Sequence, residues 1–199
     1  MILKICGITN ADDAAAAIAG GASAIGFNFY PRSPRYIAPE LAAEIASPGA
    51  RRVGVFVNES PARVEEIARI AALDVAQLHG DEAGADYPDG VAVWKAVRVG
   101  DGFRFADYEG VAAEALLLDG PAAELYGGSG KTFEWRLAAA SAKRIIIAGG
   151  LDASNVARAI ALAHPWGVDA CSRIESAPGK KDHKKMTDFL EAARAALQP

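Results

Sequence analysis

Eight short apolar runs alternate with helix-like stretches along this chain, and that alternation restricts the fold more than any other feature. The runs fall at 2–6, 23–29, 52–57, 74–78, 91–97, 114–119, 144–148 and 167–171. The helix-like stretches fall at about 10–19, 39–46, 60–72, 81–86, 102–109, 132–141, 153–163 and 182–197, with those at 81–86 and 102–109 the weakest, being short and glycine-rich. Runs such as Ile145-Ile146-Ile147-Ala148 show no polar alternation, as a parallel sheet covered on both faces requires. Helix starts are marked by Thr9-Asn10 with Asp12-Asp13, by Ser60-Pro61 and by Asp152-Ala153-Ser154-Asn155. Acids, short polar caps and proline suit the exposed N–H groups of a first turn. Eight βα units of about 25 residues each predict a closed α/β barrel, the (β/α)8 TIM barrel, at the small end of its size range. An open doubly wound sheet would need fewer strands or a dinucleotide-binding turn, and the sequence has neither. The expectation is a single barrel domain over residues 1–199.

Composition narrows the function classes. The formal net charge is -4, and no Lys/Arg run is long enough to track a nucleic acid backbone. The nearest cluster, Lys180-Lys181 with Lys184-Lys185, is broken by Asp182 and reads as a solvated helix start. No stretch of about twenty apolar residues exists to span a membrane. Nor does the N-terminus pair a basic region with an apolar run of signal-peptide length. Two cysteines, Cys6 and Cys171, make no disulfide scaffold. These features predict a cytoplasmic protein with reduced thiols, and neither a nucleic acid nor a membrane partner.

In a parallel barrel, chemistry sits at the carboxyl ends of the strands, and polar and titratable residues concentrate there. The first strand ends in Cys6-Gly7, with Lys4 on the same face as Cys6. A cation beside a thiol favours thiolate, which would make Cys6 a base or nucleophile; the alternative is a buried cysteine packed as a small hydrophobe. Asp119 closes the run Leu116-Leu117-Leu118, and so apolar a strand should raise its pKa and let it hold a proton; a turn or cap residue is the alternative. One group poised to accept a proton and another to donate one fits proton-transfer chemistry. Gly149-Gly150 after the seventh strand and Ser172-Arg173 after the eighth occupy the usual phosphate seat of this fold, where backbone N–H groups approach an anion and an arginine can add a bidentate contact; tight turns alone would also use those glycines.

The loop Gly127-Gly128-Ser129-Gly130-Lys131-Thr132 is not a nucleotide loop, because Leu125 stands where the first glycine belongs and the preceding strand is too far away. It reads as a mobile loop over the site or a surface linker. Of three histidines only His79 falls at the rim, so no three-histidine metal site assembles, and no cofactor motif occurs. Cys6 and Cys171 are on strands that neighbour each other in a closed barrel; a metal or disulfide reading of that pair is much the weaker one.

The order and number of these motifs resemble the phosphoribosylanthranilate isomerases of tryptophan biosynthesis. The resemblance runs end to end through Lys4-Ile5-Cys6-Gly7-Ile8-Thr9, Gly26-Phe27-Asn28-Phe29, Ser33-Pro34-Arg35-Tyr36, Val53-Gly54-Val55-Phe56-Val57-Asn58, Gln77-Leu78-His79-Gly80, Leu118-Asp119, Gly127 to Phe133, Ala148-Gly149-Gly150-Leu151, and Gly167-Val168-Asp169 through Ser172 to Glu175-Ser176. It implies an Amadori rearrangement without metal or cofactor, acting on a small phosphosugar-anthranilate substrate. By the same resemblance Asp119 would be the general acid that opens the sugar ring and Cys6 the base at C2. Arg35 would hold the anthranilate carboxylate, His79 and Asp169 would line the site, and Gly149, Gly150, Ser172 and Arg173 would hold the phosphate. Two departures stand out: Arg173 replaces the family's usual glycine, and Cys171 its usual serine. A monomer rather than a homodimer is expected. The competing readings are the histidine-pathway isomerase, whose acid–base pair is usually two aspartates, a dual-specificity enzyme, and a non-catalytic phosphosugar binder.

Overall fold

The computed structural model describes residues 1–120 and 133–197. Eight parallel strands, β1 (Ile2–Cys6), β2 (Ala24–Asn28), β3 (Arg51–Phe56), β4 (Val75–Leu78), β5 (Ala92–Arg98), β6 (Ala115–Asp119), β7 (Ile145–Ile147) and β8 (Gly167–Ala170), close in sequence order into one barrel. Closure is made by β1 against β8, with Lys4 opposite Asp169 and Ile5 opposite Ala170. The expected fold class is the observed one, and each predicted strand falls within two residues of its observed bounds.

Strand alternation divides the apolar residues into two cores. One set, including Ile5, Ile25, Phe27, Leu116, Leu118 and Val168, faces outward and is covered by the helices. The other, including Ala24, Val53, Val75, Trp94, Leu117 and Ile146, fills the barrel. Lys4 and Cys6, Gln77 and His79, Asp119, Asp169 and Cys171 share the parity of that inner set.

The α-helical layer is lopsided. Among the described residues five α-helices form: α1 (Ala11–Ala19), α2 (Pro39–Glu44), α3 (Pro61–Ile70), α4 (Val156–Ala163) and α5 (His183–Ala195). Asn10 and Ser60 cap α1 and α3 as predicted, accepting from Asp13 N and Arg63 N. The helices expected near 81–86, 102–109 and 132–141 are instead 3-10 turns over Gly84–Asp86, Phe105–Tyr108 and Trp135–Ala140. Gly84 and Gly102 fall within the first two stretches, and Gly80, Pro88, Gly90, Gly100 and Gly110 flank them, leaving too few residues to offset helix nucleation. Among the described residues no helix is long and apolar enough to cross a membrane.

A second departure follows β8. A small antiparallel hairpin, β9 (Glu175–Ala177) with β10 (Lys180–Lys181), precedes α5. It corrects the reading of the lysine cluster as solvated. Lys180 is exposed, but Lys181 is buried, with its Nζ 2.9 Å from Glu175 Oε1. Asp13 of α1 fixes the hairpin by accepting from Lys181 N at 2.8 Å and lying 2.7 Å from His183 Nε2.

Candidate active site

At the carboxyl ends of the strands one cavity is lined by Cys6, Arg35, His79, Asp119, Gly149, Gly150, Asp169, Ser172 and Arg173, the nine residues singled out in the sequence. Most come from different strand ends, so closure of the barrel is what brings them together. Asn28, Gln77 and Cys171 join them. The loop at 127–132 lies outside the described residues.

Lys4 organises the floor of this cavity. It is fully buried, and its Nζ lies 3.0 Å from Asp169 Oδ1. Gly26 on the adjacent strand makes room: a Cβ there would lie 3.0 Å from Cys6 Sγ and 3.1 Å from Lys4 Nζ. Burial alone would lower the Lys4 pKa, but Asp169 and Cys6 beside it raise it above the ordinary lysine value. Cys6 is driven the other way. A hydrogen bond from Cys171 lowers its pKa well below that of a free thiol, and the positive charge of Lys4 adds to this against the cost of burial. Cys171 keeps its proton, held by that hydrogen bond and by burial. The Cys171 thiol therefore acts on Cys6 beside the lysine identified in the sequence. Burial, only partly opposed by Lys4, pushes the Asp169 carboxyl up to about 7.

Across the mouth, His79 Nε2 sits 3.4 Å from Asp119 Oδ2, and Gln77 Nε2 lies 3.1 Å from His79 Nδ1. His79 Nε2 faces Asp119 without an aligned hydrogen bond to it. The loop after His79 is pinned from behind. Glu82 accepts from Asn58 N and Lys95 Nζ, each at 2.7 Å, and from Gly80 N at 2.9 Å. Gly80 follows His79 because a Cβ at that position would overlap Asn58 Oδ1.

Arg35 reaches the cavity from the β2–α2 loop. Its Nε and Nη2 donate to Glu175 at 2.7 to 3.2 Å, and Glu175 also accepts from Lys181. Sequence reasoning missed both partners, since neither short strand of the hairpin has a run long enough to show a period. Opposite, Gly149 and Gly150 adopt φ of 79° and 65°, a left-handed backbone that glycine accommodates. The helix expected at about 153–163 begins at Val156. Arg173 Nη1 meets Asp152 Oδ2 at 3.0 Å, tying the loop after β8 to the loop after β7.

Comparison with known proteins bears on the family. Residues 3–192 match the family model described as N-(5'phosphoribosyl)anthranilate (PRA) isomerase. An N-(5'-phosphoribosyl)anthranilate isomerase of Solibacter usitatus is 76% identical over 197 residues, covering 99% of each chain. The crystal structure of phosphoribosyl anthranilate isomerase from Thermotoga maritima is 39% identical, with a TM-score of 0.88, over 98% of this chain and 100% of that one. A phosphoribosyl anthranilate isomerase solved with reduced 1-(o-carboxyphenylamino)-1-deoxyribulose 5-phosphate is 37% identical, with a TM-score of 0.85 and the same coverage.

Proposed function

The chain belongs to the N-(5'-phosphoribosyl)anthranilate isomerase family, and on that premise we propose how its residues divide the work of the reaction. It is an isomerase of tryptophan biosynthesis, converting N-(5'-phosphoribosyl)anthranilate to 1-(2-carboxyphenylamino)-1-deoxyribulose 5-phosphate by an Amadori rearrangement. The observation that carries the assignment is that Cys6 and Asp119, from β1 and β6, line one cavity with inward parity.

Asp119 delivers a proton to the ring oxygen as the C1–O bond breaks, leaving a Schiff base between C1 and the anthranilate nitrogen. Cys6, held as thiolate by Cys171 and Lys4, removes the proton from C2. The enolamine then tautomerises to the ketone, so atoms and electrons are conserved. His79, 3.4 Å away, positions the Asp119 carboxyl group. Arg35, fixed by Glu175 through Nε and Nη2, offers its Nη1 to the anthranilate carboxylate. Backbone N–H groups at Gly149, Gly150 and Ser172, together with Arg173, receive the phosphate. Asp169 lines the floor and keeps Lys4 in place.

Two free thiols suit the cytoplasm. The test is turnover of phosphoribosylanthranilate by the purified protein, followed by loss of anthranilate-type fluorescence. Turnover abolished in both Cys6→Ala and Asp119→Ala supports the assignment. Near-wild-type turnover in either one removes that residue from its role.

A further inference from the structure

The thiol that holds Cys6 ionised is also placed to bond to it. We propose that Cys6 and Cys171 form a dithiol that a peroxide-class oxidant closes to a reversible disulfide, switching the site off. This rests on Cys6 being the base of the reaction.

The geometry comes from strand register. Lys4 lies opposite Asp169 across the β1–β8 seam, and their side chains meet inside the barrel at 3.0 Å. One position past the last registered pair, Ile5 opposite Ala170, come Cys6, which ends β1, and Cys171, the first residue beyond β8, and both side chains line the cavity. Adjacent strands run about 4.8 Å apart, within the roughly 4.4–6.8 Å Cα separation that a disulfide spans. A Cβ on Gly7 would lie 3.1 Å from Cys171 Sγ, so that sulfur packs against the residue following Cys6. Both cysteines line the cavity, where a molecule as small as hydrogen peroxide can enter.

The electrostatics support each step. Cys6 thiolate attacks peroxide: an S–O bond forms, the O–O bond breaks, and with one proton taken up water leaves Cys6 as a sulfenic acid. The thiolate that had kept Cys171 protonated is then gone. Lys181 Nζ, 3.9 Å from Cys171 Sγ, and the Arg35 charge now favour ionisation of the second thiol. Its sulfur attacks Cys6, the S–S bond forms and the S–O bond breaks. Hydroxide departs and takes the Cys171 proton as water. Two thiols lose two electrons in all, and peroxide is reduced to two waters. The oxidised site has no thiolate to take the C2 proton, and an external dithiol restores it.

The experiment exposes the purified full chain to hydrogen peroxide and reads intact mass, tryptic peptides and turnover, before and after dithiothreitol. The expected result is loss of two hydrogens, a peptide linking Cys6 to Cys171, and loss of turnover that dithiothreitol reverses. Cys171→Ser should lose turnover to oxygen adducts on Cys6 that dithiothreitol increasingly fails to reverse as sulfinic acid accumulates. Oxygen adducts without any cross-linked peptide in the wild type would overturn the proposal. So would equal reversibility in Cys171→Ser. A cross-link that left turnover intact would instead remove Cys6 as the base, which separates the two failures.

Discussion

Both ends of the barrel carry cations against carboxylates, yet they do opposite things. At the amino-terminal end Arg51 lies 5.3 Å above the Trp94 ring, Arg144 lies 5.1 Å above Trp166, and the two indoles meet edge to face at 5.8 Å. Glu114 joins them, accepting from Trp94 Nε1 at 2.7 Å and pairing with both arginines. The arginines are 30% and 56% exposed on their side chains, so water screens these charges while the indoles close the barrel. At the carboxyl end Lys4, Asp169 and Lys181 are buried beside a cavity, and Lys4 Nζ and Asp169 Oδ1 make no aligned hydrogen bond. Removing charge from water is costly unless it is paired and bonded. The plugged end meets that condition, and the open end leaves part of it for a ligand to meet.

The comparison is broken most directly at the open end. Cys6→Ala and Asp119→Ala should each lower kcat by at least roughly 10²-fold in steady-state assays. Product affinity, by titration calorimetry, should stay near that of the wild type. A parallel loss of affinity would mean that these groups bind rather than react. Trp94→Ala should act through the other end. Its fully buried indole fills the barrel, so denaturant unfolding should show a loss of about 3–5 kcal/mol. Turnover per folded molecule should be preserved, and a large fall in kcat there would erase the distinction between the ends.

The sequence makes these two ends unequally legible. The strands announce themselves as continuous apolar runs, and counting along β1 is enough to put Lys4 and Cys6 on one face. The same parity puts Asp119 and Asp169 inside once the barrel closes. Two of the expected helices, near 81–86 and 102–109, shorten to 3-10 turns because a propensity weakened by glycine has no long apolar stripe to dock. The Arg35–Glu175–Lys181 group is hidden for a different reason. Residues separated by up to 146 positions meet only through a hairpin of three and two residues, and no local period foretells it. Cys171 is visible as a departure from a family pattern, but its effect on Cys6 requires knowing that strand eight pairs with strand one.

Arg35→Ala tests that hidden group. It removes one partner of Glu175 while Lys181 remains, so the fold should survive, and KM should rise by about tenfold or more through loss of a charge-assisted contact to the carboxylated ring. Unchanged KM and kcat would leave Arg35 with a purely structural task.

The smallest effect expected is on stability, and it separates the ends by their response to pH. Asp169 is pushed up from the ordinary 3.8 to about 7 by burial, so the native chain binds its proton more tightly than the unfolded chain does. Its contribution to stability is therefore complete below the unfolded value and disappears as pH rises through about 7. Cys6 has the opposite sign: its lowered value contributes stability at high pH that is lost as pH falls through the folded value. Because Asp169→Asn keeps Cys6 but lacks the titrating carboxyl, the difference in Tm between wild type and this variant isolates Asp169. From about pH 5 to about pH 8 that difference should move against the wild type, by about 2–4 °C for each kcal/mol in a chain of this size. The screened carboxylate at the plugged end is held below its ordinary value by Trp94 and Arg51 against the cost of its own burial, so Glu114→Gln should show no such drift in that window. Parallel wild-type and Asp169→Asn profiles would mean that the floor of the cavity holds no extra proton near neutrality, and the two ends would then differ in shape alone.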